Sequence, residues 1–164
     1  MYAKILVPVD DSRAAEAALD EAIRLARLCG GELRLLHVSP DPPFVPASSV
    51  FRDEAQAEAS EGARRGSALL ARLGEHVGAQ GIGVDTVLLE TRGCHLHGLV
   101  NEQARAWGAE LVVLGTHGRR GVERALVGSV AEQVIRHAEV PVLLVRRPEA
   151  PQDTGLQSIA AAIA

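Results

Sequence analysis

The stretch ELVVLGTHGRRGVERALVGS, residues 110–129, decides the fold. Its first six residues form a short apolar run of the kind that fills a strand buried on both faces of a parallel sheet. The chain leaves that run at Gly115, reaches Gly118, and after nine intervening residues arrives at Gly128-Ser129, where a helical pattern begins. Glycines let a backbone come close to a ligand and adopt positive φ. The unpaired N–H groups and dipole of a helix N-terminus favour an anion. Ser129 adds a hydroxyl donor, and Arg119, Arg120 and Arg124 lie in the intervening loop, where they could neutralise phosphate charge. Strand, glycine turn and helix together read as a grip for phosphate.

The rest of the chain repeats the alternation. Residues 3–9, AKILVPV, predict a strand, and Ser12 is placed to cap a helix over 13–29 that stops at Gly30-Gly31. ELRLLHV (32–38) predicts the second strand. SPDPPFVPASSV (39–50) holds four of the eight prolines and predicts a loop. Residues 51–79 predict a helix weakened at Gly62 and Gly66. VDTVLLE (84–90) is a third strand, 94–107 a helix starting near Gly93 and ending at Gly108, and 129–137 a helix opened by Ser129. VPVLLV (140–145) is the fifth strand, with Pro141 at its start, where a missing N–H is tolerated. This order predicts an α/β fold with a five-stranded, parallel, open, doubly wound sheet over residues 1–147. Residues 148–164 are expected to be a flexible tail.

The 164 residues suit one domain, and a formal net charge of −4 argues against a nucleic-acid partner. Aromatics make up 2% of the chain, so the core must be built from Val, Leu, Ile and Ala. The opening MYAKILVPVDDS enters a strand directly and lacks the regions of a signal peptide, and no apolar run is long enough to span a membrane. Cys29 and Cys94 form no CxxC pair. A reducing, cytoplasmic setting is expected.

Open α/β sheets bind ligands at the carboxyl ends of their strands, where strand order reverses. Those ends here carry Pro8, Val9 and Asp10; His37, Val38 and Ser39; Glu90; and Leu114, Gly115 and Thr116. There is no GxxxxGK[ST] and no GxGxxG after the first strand. Asp10 could coordinate Mg2+, bind a ribose hydroxyl, or cap the first helix beside Ser12. Cys94, His95 and His97 are spaced too tightly to converge on a metal from one turn, and read as a surface helix start, with Cys94 a candidate for redox chemistry. His37 and His117 read as packing or supporting residues, and Trp107 as a helix-end anchor. No nucleophile–base set or carboxylate pair is evident, so no catalytic residue is assigned and any hydrolysis of a bound ligand is expected to be slow.

The segment GTHGRRGVERALVGSVAEQVIRHAEVPVLLVR, with KILVPVDDS at the start and LHV in the second strand, resembles the universal stress protein family over residues 1–147. The pattern Gly115, Gly118, nine residues, Gly128 and Ser129 is that of the ATP-binding branch. The resemblance implies a Rossmann-like fold akin to the adenine nucleotide alpha hydrolases, and ATP, AMP or ADP as ligand, with Mg2+ as its companion. It implies Asp10 near the adenosine and Val38 against the adenine, with Pro8 and Val9 lining the pocket. Leu114 and Gly115 would flank the ribose, and Gly118, Gly128, Ser129 and Val130 would hold the phosphates. It also implies a homodimer joined through the fifth strands. The alternative function is a dimeric protein-interaction module, binding no nucleotide, that works through loop 39–50 or the tail. GCHLHG (93–98), that loop and the tail depart from the family pattern, which leaves the protein partners open.

Overall fold

The computed structural model describes residues 1–40, 52–116 and 129–146, the side chains of 52–56 excepted. Strands β1 (Lys4–Pro8), β2 (Glu32–Ser39), β3 (Val84–Glu90), β4 (Leu111–Gly115) and β5 (Val142–Val145) alternate with helices α1 (Arg13–Cys29), α2 (Arg52–Gly78), α3 (Leu96–Trp107) and α4 (Ser129–His137). All strand pairs are parallel, in the order β3-β2-β1-β4-β5. The fold is the predicted doubly wound α/β sheet. No helix among the described residues is long and apolar enough to cross a membrane.

Two apolar layers flank the sheet. Ile5 and Val7 of β1 and Val9 just after it, with Leu33 and Leu35 of β2, pack under α1 and α2. Leu6, Leu36, Val112 and Leu114 pack on the other face against Val100 and Ala104 of α3 and Ala131 and Val134 of α4. Ile5, Leu6 and Val7 are fully buried, which is why β1 reads as an unbroken apolar run. Helix α1 starts where Ser12 Oγ accepts the Ala15 N–H at 3.2 Å, and it ends at Gly30, whose φ of 66° suits glycine. Its buried residues Ala15, Ala18, Leu19, Ala22, Ile23 and Ala26 fall at helical spacing.

Several boundaries differ from the sequence reading. Helix α3 begins at Leu96 rather than 94, because Thr91–Cys94 form a tight turn closed by Cys94 N–H to Thr91 O, with Arg92 at φ 43° and Gly93 at φ 76°. Strand β5 begins at Val142; before it, Pro141 offers its carbonyl to Val112 N–H at 3.0 Å. Trp107 is half-buried at the amino edge of the sheet, with Lys4 Nζ 5.3 Å and the Arg34 guanidinium 4.6 Å from its ring centroid. Loop 41–51 and the tail lie outside the described residues.

The expected weak points at Gly62 and Gly66 do not interrupt α2. Both face the sheet. A Cβ at Gly62 would lie 3.2 Å from Ser39 Oγ, and one at Gly66 would lie 2.7 Å from His37 Cδ2 and 2.8 Å from Leu88 Cδ1. The glycines trade helix propensity for close approach to β2 and β3. Gly66→Ala is therefore expected to destabilise the protein by about 1–3 kcal/mol through overpacking. Gly98→Ala, with nothing within 4 Å of the added methyl, should stabilise by up to about 1 kcal/mol. Urea unfolding of the two variants checks both signs; a stabilising Gly66→Ala would mean that α2 sits farther from the sheet.

Candidate functional site

The chain turns in one direction from β1 through β2 to β3 and in the other from β4 to β5, so strand order reverses between β1 and β4. The ladder between these two has register pairs at Ile5–Leu111 and Leu6–Val112 only. Beyond them each strand stays paired outward: β1 with β2 through Pro8–Leu36, and β4 with β5 through Gly115–Val145. Pro8 and Leu114 thus extend past the shared ladder, and the carboxyl edge has a parting at the reversal point, where such sheets take ligands.

The predicted residues fall around this parting in three groups. By register, Pro8, Val38 and Leu114 lie on the α3–α4 face, where Val38 is partly buried and Leu114 is buried. Val9 packs its side chain on the opposite face, in the α1–α2 layer. Asp10 follows as the chain leaves the sheet; its Oδ1 accepts the Ser12 N–H at 3.0 Å. This bond closes a turn onto the N-cap residue, and the helix cap itself is made by Ser12. Ser129 and Val130 are exposed in the first turn of α4. Gly118 and Gly128, together with Arg119, Arg120, Arg124 and His117, lie outside the described residues.

Gly115 has a role its place in the motif did not reveal. A Cβ there would lie 2.5 Å from Ala14 O and 2.6 Å from Ala14 C, so the end of β4 abuts the first turn of α1. The buried polar residues among the described ones, His37, Ser39 and Thr116, all lie at this same edge. His37 Nδ1 stands 2.8 Å from Val9 O. Thr116 N–H donates to Val145 O at 3.1 Å.

The opposite edge has an open depression of about 570 Å³ lined by Lys4, Arg27, Gly30, Glu32 and Gly83 among others. It lies beside the C-terminal end of α1, whose carbonyls carry the negative end of the helix dipole. That polarity disfavours an anionic ligand, and we place the candidate site at the carboxyl edge.

Among the described residues no group of three His, Cys, Asp or Glu is arranged to hold a metal ion. His95 is the N-cap of α3 without a side-chain capping bond, and Cys94 is exposed. The histidines instead stack: His97 lies between His95 and His137, with ring centroids 5.3 Å from each. The contribution of His137, forty residues downstream of His97, has no signal in the local spacing. Desolvation first, then repulsion from His137 and His95, hold the His97 pKa below its ordinary 6.5.

A sequence model described as the universal stress protein family matches residues 1–146. A universal stress protein of Methanocaldococcus jannaschii is 34% identical over 149 residues, which span 91% of this chain and 85% of that protein. Among solved structures, universal stress protein UspA from Lactobacillus plantarum superposes with a TM-score of 0.78 at 25% identity, over 88% of this chain and 98% of that one. The universal stress protein from Archaeoglobus fulgidus in complex with dAMP superposes with a TM-score of 0.58 at 28% identity, over 87% of this chain and 97% of that one.

Two outcomes follow from this geometry. Gly115→Ala should cost about 1–3 kcal/mol, since the added methyl meets helix backbone that can only move as a unit; unchanged urea unfolding would place α1 farther from β4. For His97, the unfolded chain binds more protons than the folded one between the lowered folded pKa and 6.5. Its contribution is intact above 6.5 and declines as pH falls through that window. Thermal midpoints from about pH 7 down to pH 5 should fall less steeply in His97→Gln than in the wild type.

Proposed function

Because the chain belongs to the universal stress protein family, we propose that it binds an adenine nucleotide at the parted ends of β1 and β4 and uses it as a ligand or switch in a stress response. The observation that carries this reading is the ladder that ends at Leu6–Val112, directly beneath the Asp10 turn and the glycine motif that begins at Gly115. The dAMP complex of the Archaeoglobus fulgidus relative supports the ligand class. ATP is the first ligand to test, with AMP and ADP beside it. Asp10 would serve the adenosine or a Mg2+ ion, Val38 the adenine and Pro8 the pocket wall, while Val9, whose side chain lies in the α1–α2 layer, would border the pocket through its main chain. Leu114 and Gly115 would serve the ribose side. Gly118, Gly128, Ser129 and Val130 would hold phosphate, as a glycine turn leading into a helix N-terminus can.

The same reading has the protein as a cytoplasmic homodimer. Strand β5 is an edge strand whose four residues are all half-buried, and α4 beside it exposes Val130 and Ile135. An apolar edge of this kind favours a partner strand. Sedimentation should give the mass of a dimer; a monomer would remove this part of the proposal.

The deciding experiment is to denature the purified protein and identify what it releases, then to titrate refolded wild type, Gly118→Val and Gly128→Val with ATP and Mg2+. Adenine nucleotide in the wild type, with affinity lowered at least about tenfold in both folded variants, is the expected result. A folded wild type that neither carries nor takes up nucleotide would reject the reading in favour of a protein-interaction module.

A further inference from the structure

We propose that His37 is a positioning residue of the nucleotide site: its imidazole holds the Val9 carbonyl and, through it, the turn that carries Asp10. This rests on the nucleotide reading above. Val9 is where β1 leaves the sheet. Its N–H still reaches Leu36 O at 2.8 Å. Its carbonyl meets His37 Nδ1 at 2.8 Å. A carbonyl can only accept, so Nδ1 carries the hydrogen of this bond.

Packing alone does not call for histidine here. Its neighbours along the same face of β2 are Leu33 and Leu35, and a further aliphatic residue would fill the α1–α2 layer as they do. His37 is 6% exposed and has Gly66 of α2 against its ring, where a methyl would lie 2.7 Å from Cδ2. The missing side chain at Gly66 thus makes room for an imidazole whose Nδ1 is aimed at the β1 exit. One residue beyond, Asp10 Oδ1 accepts the Ser12 N–H, and Ser12 Oγ accepts from Ala15 to start α1. The hydrogen bonds, joined by the Val9–Asp10 main chain, link His37 of β2 to the first turn of α1, with Asp10 between them. His37 does not itself enter the parting, because it faces the α1–α2 layer while Pro8, Val38 and Leu114 lie on the other face.

His37→Leu removes the bond and His37→Asn supplies an amide N–H at nearly the same place. Both are compared with wild type by ATP titration at a temperature where circular dichroism shows each to be folded, and by hydrogen exchange at the Ser12 amide. The expected result is ATP affinity lowered about tenfold in the leucine variant and within about threefold of wild type in the asparagine variant. Ser12 exchange should be about tenfold faster in the leucine variant alone. A purely structural histidine would lower the unfolding midpoint without a selective change at Ser12. Wild-type-like binding in folded His37→Leu, or an asparagine variant as weak as the leucine one, overturns the assignment of His37 while leaving the nucleotide reading intact. A wild type that takes up no nucleotide overturns both. If neither variant folds, Gly66→Ala, which presses on the same ring, replaces them: unchanged affinity and Ser12 exchange in that variant would overturn the assignment, and weakened affinity with faster exchange would support it.

Discussion

Two register pairs, Ile5 with Leu111 and Leu6 with Val112, join the two halves of the sheet. Around them β1 is buried on both faces from Ile5 to Val7, so the middle of this central strand must be apolar. Beyond them the main chains of β1 and β4 diverge, and polar groups that a longer ladder would have paired need other partners. The buried polar residues among the described ones lie at that edge, and one of them, His37, serves the Val9 carbonyl where β1 leaves the sheet. The same parting that makes the sheet hard to finish at this edge makes it able to receive a ligand.

The helices close on the sheet through missing side chains as much as through present ones. Gly62, Gly66 and Gly74 lie along one side of α2 and each would put a Cβ against β2 or β3. Gly115 does the reverse, letting the end of β4 come against the backbone of α1. Gly62 and Gly66 bring the main chain of α2 against side chains of β2 and β3, and Gly115 brings main chain against main chain; all three lie near the carboxyl edge, where Val9, His37, Asp10 and Ser12 form their hydrogen bonds. At the amino edge a different arrangement holds the sheet: Trp107 takes Lys4 and Arg34 over its ring, and Arg34 also reaches Asp85 with Nε at 2.9 Å.

By itself the sequence determined the element types, their order and hence the parallel doubly wound sheet. Strand and helix differ in hydrophobic period, and a parallel crossover has one favoured hand. It also determined the Ser12 cap, the Gly30 and Gly108 stops, and the glycine motif from Gly115 to Ser129, because each is a local pattern. Only the tertiary structure decided which neighbours meet. The start of α3 waited on a turn whose positive φ at Arg92 no residue type announces. From the sequence Gly62 and Gly66 read only as weak points of a helix, and their closeness to Ser39 and His37 came from the fold. His97 meets His137, and Gly115 meets Ala14, across long stretches of chain. Periodicity tells which face a side chain takes, whereas the residue opposite it is set by strand order and helix docking, and those exist only once the chain has folded.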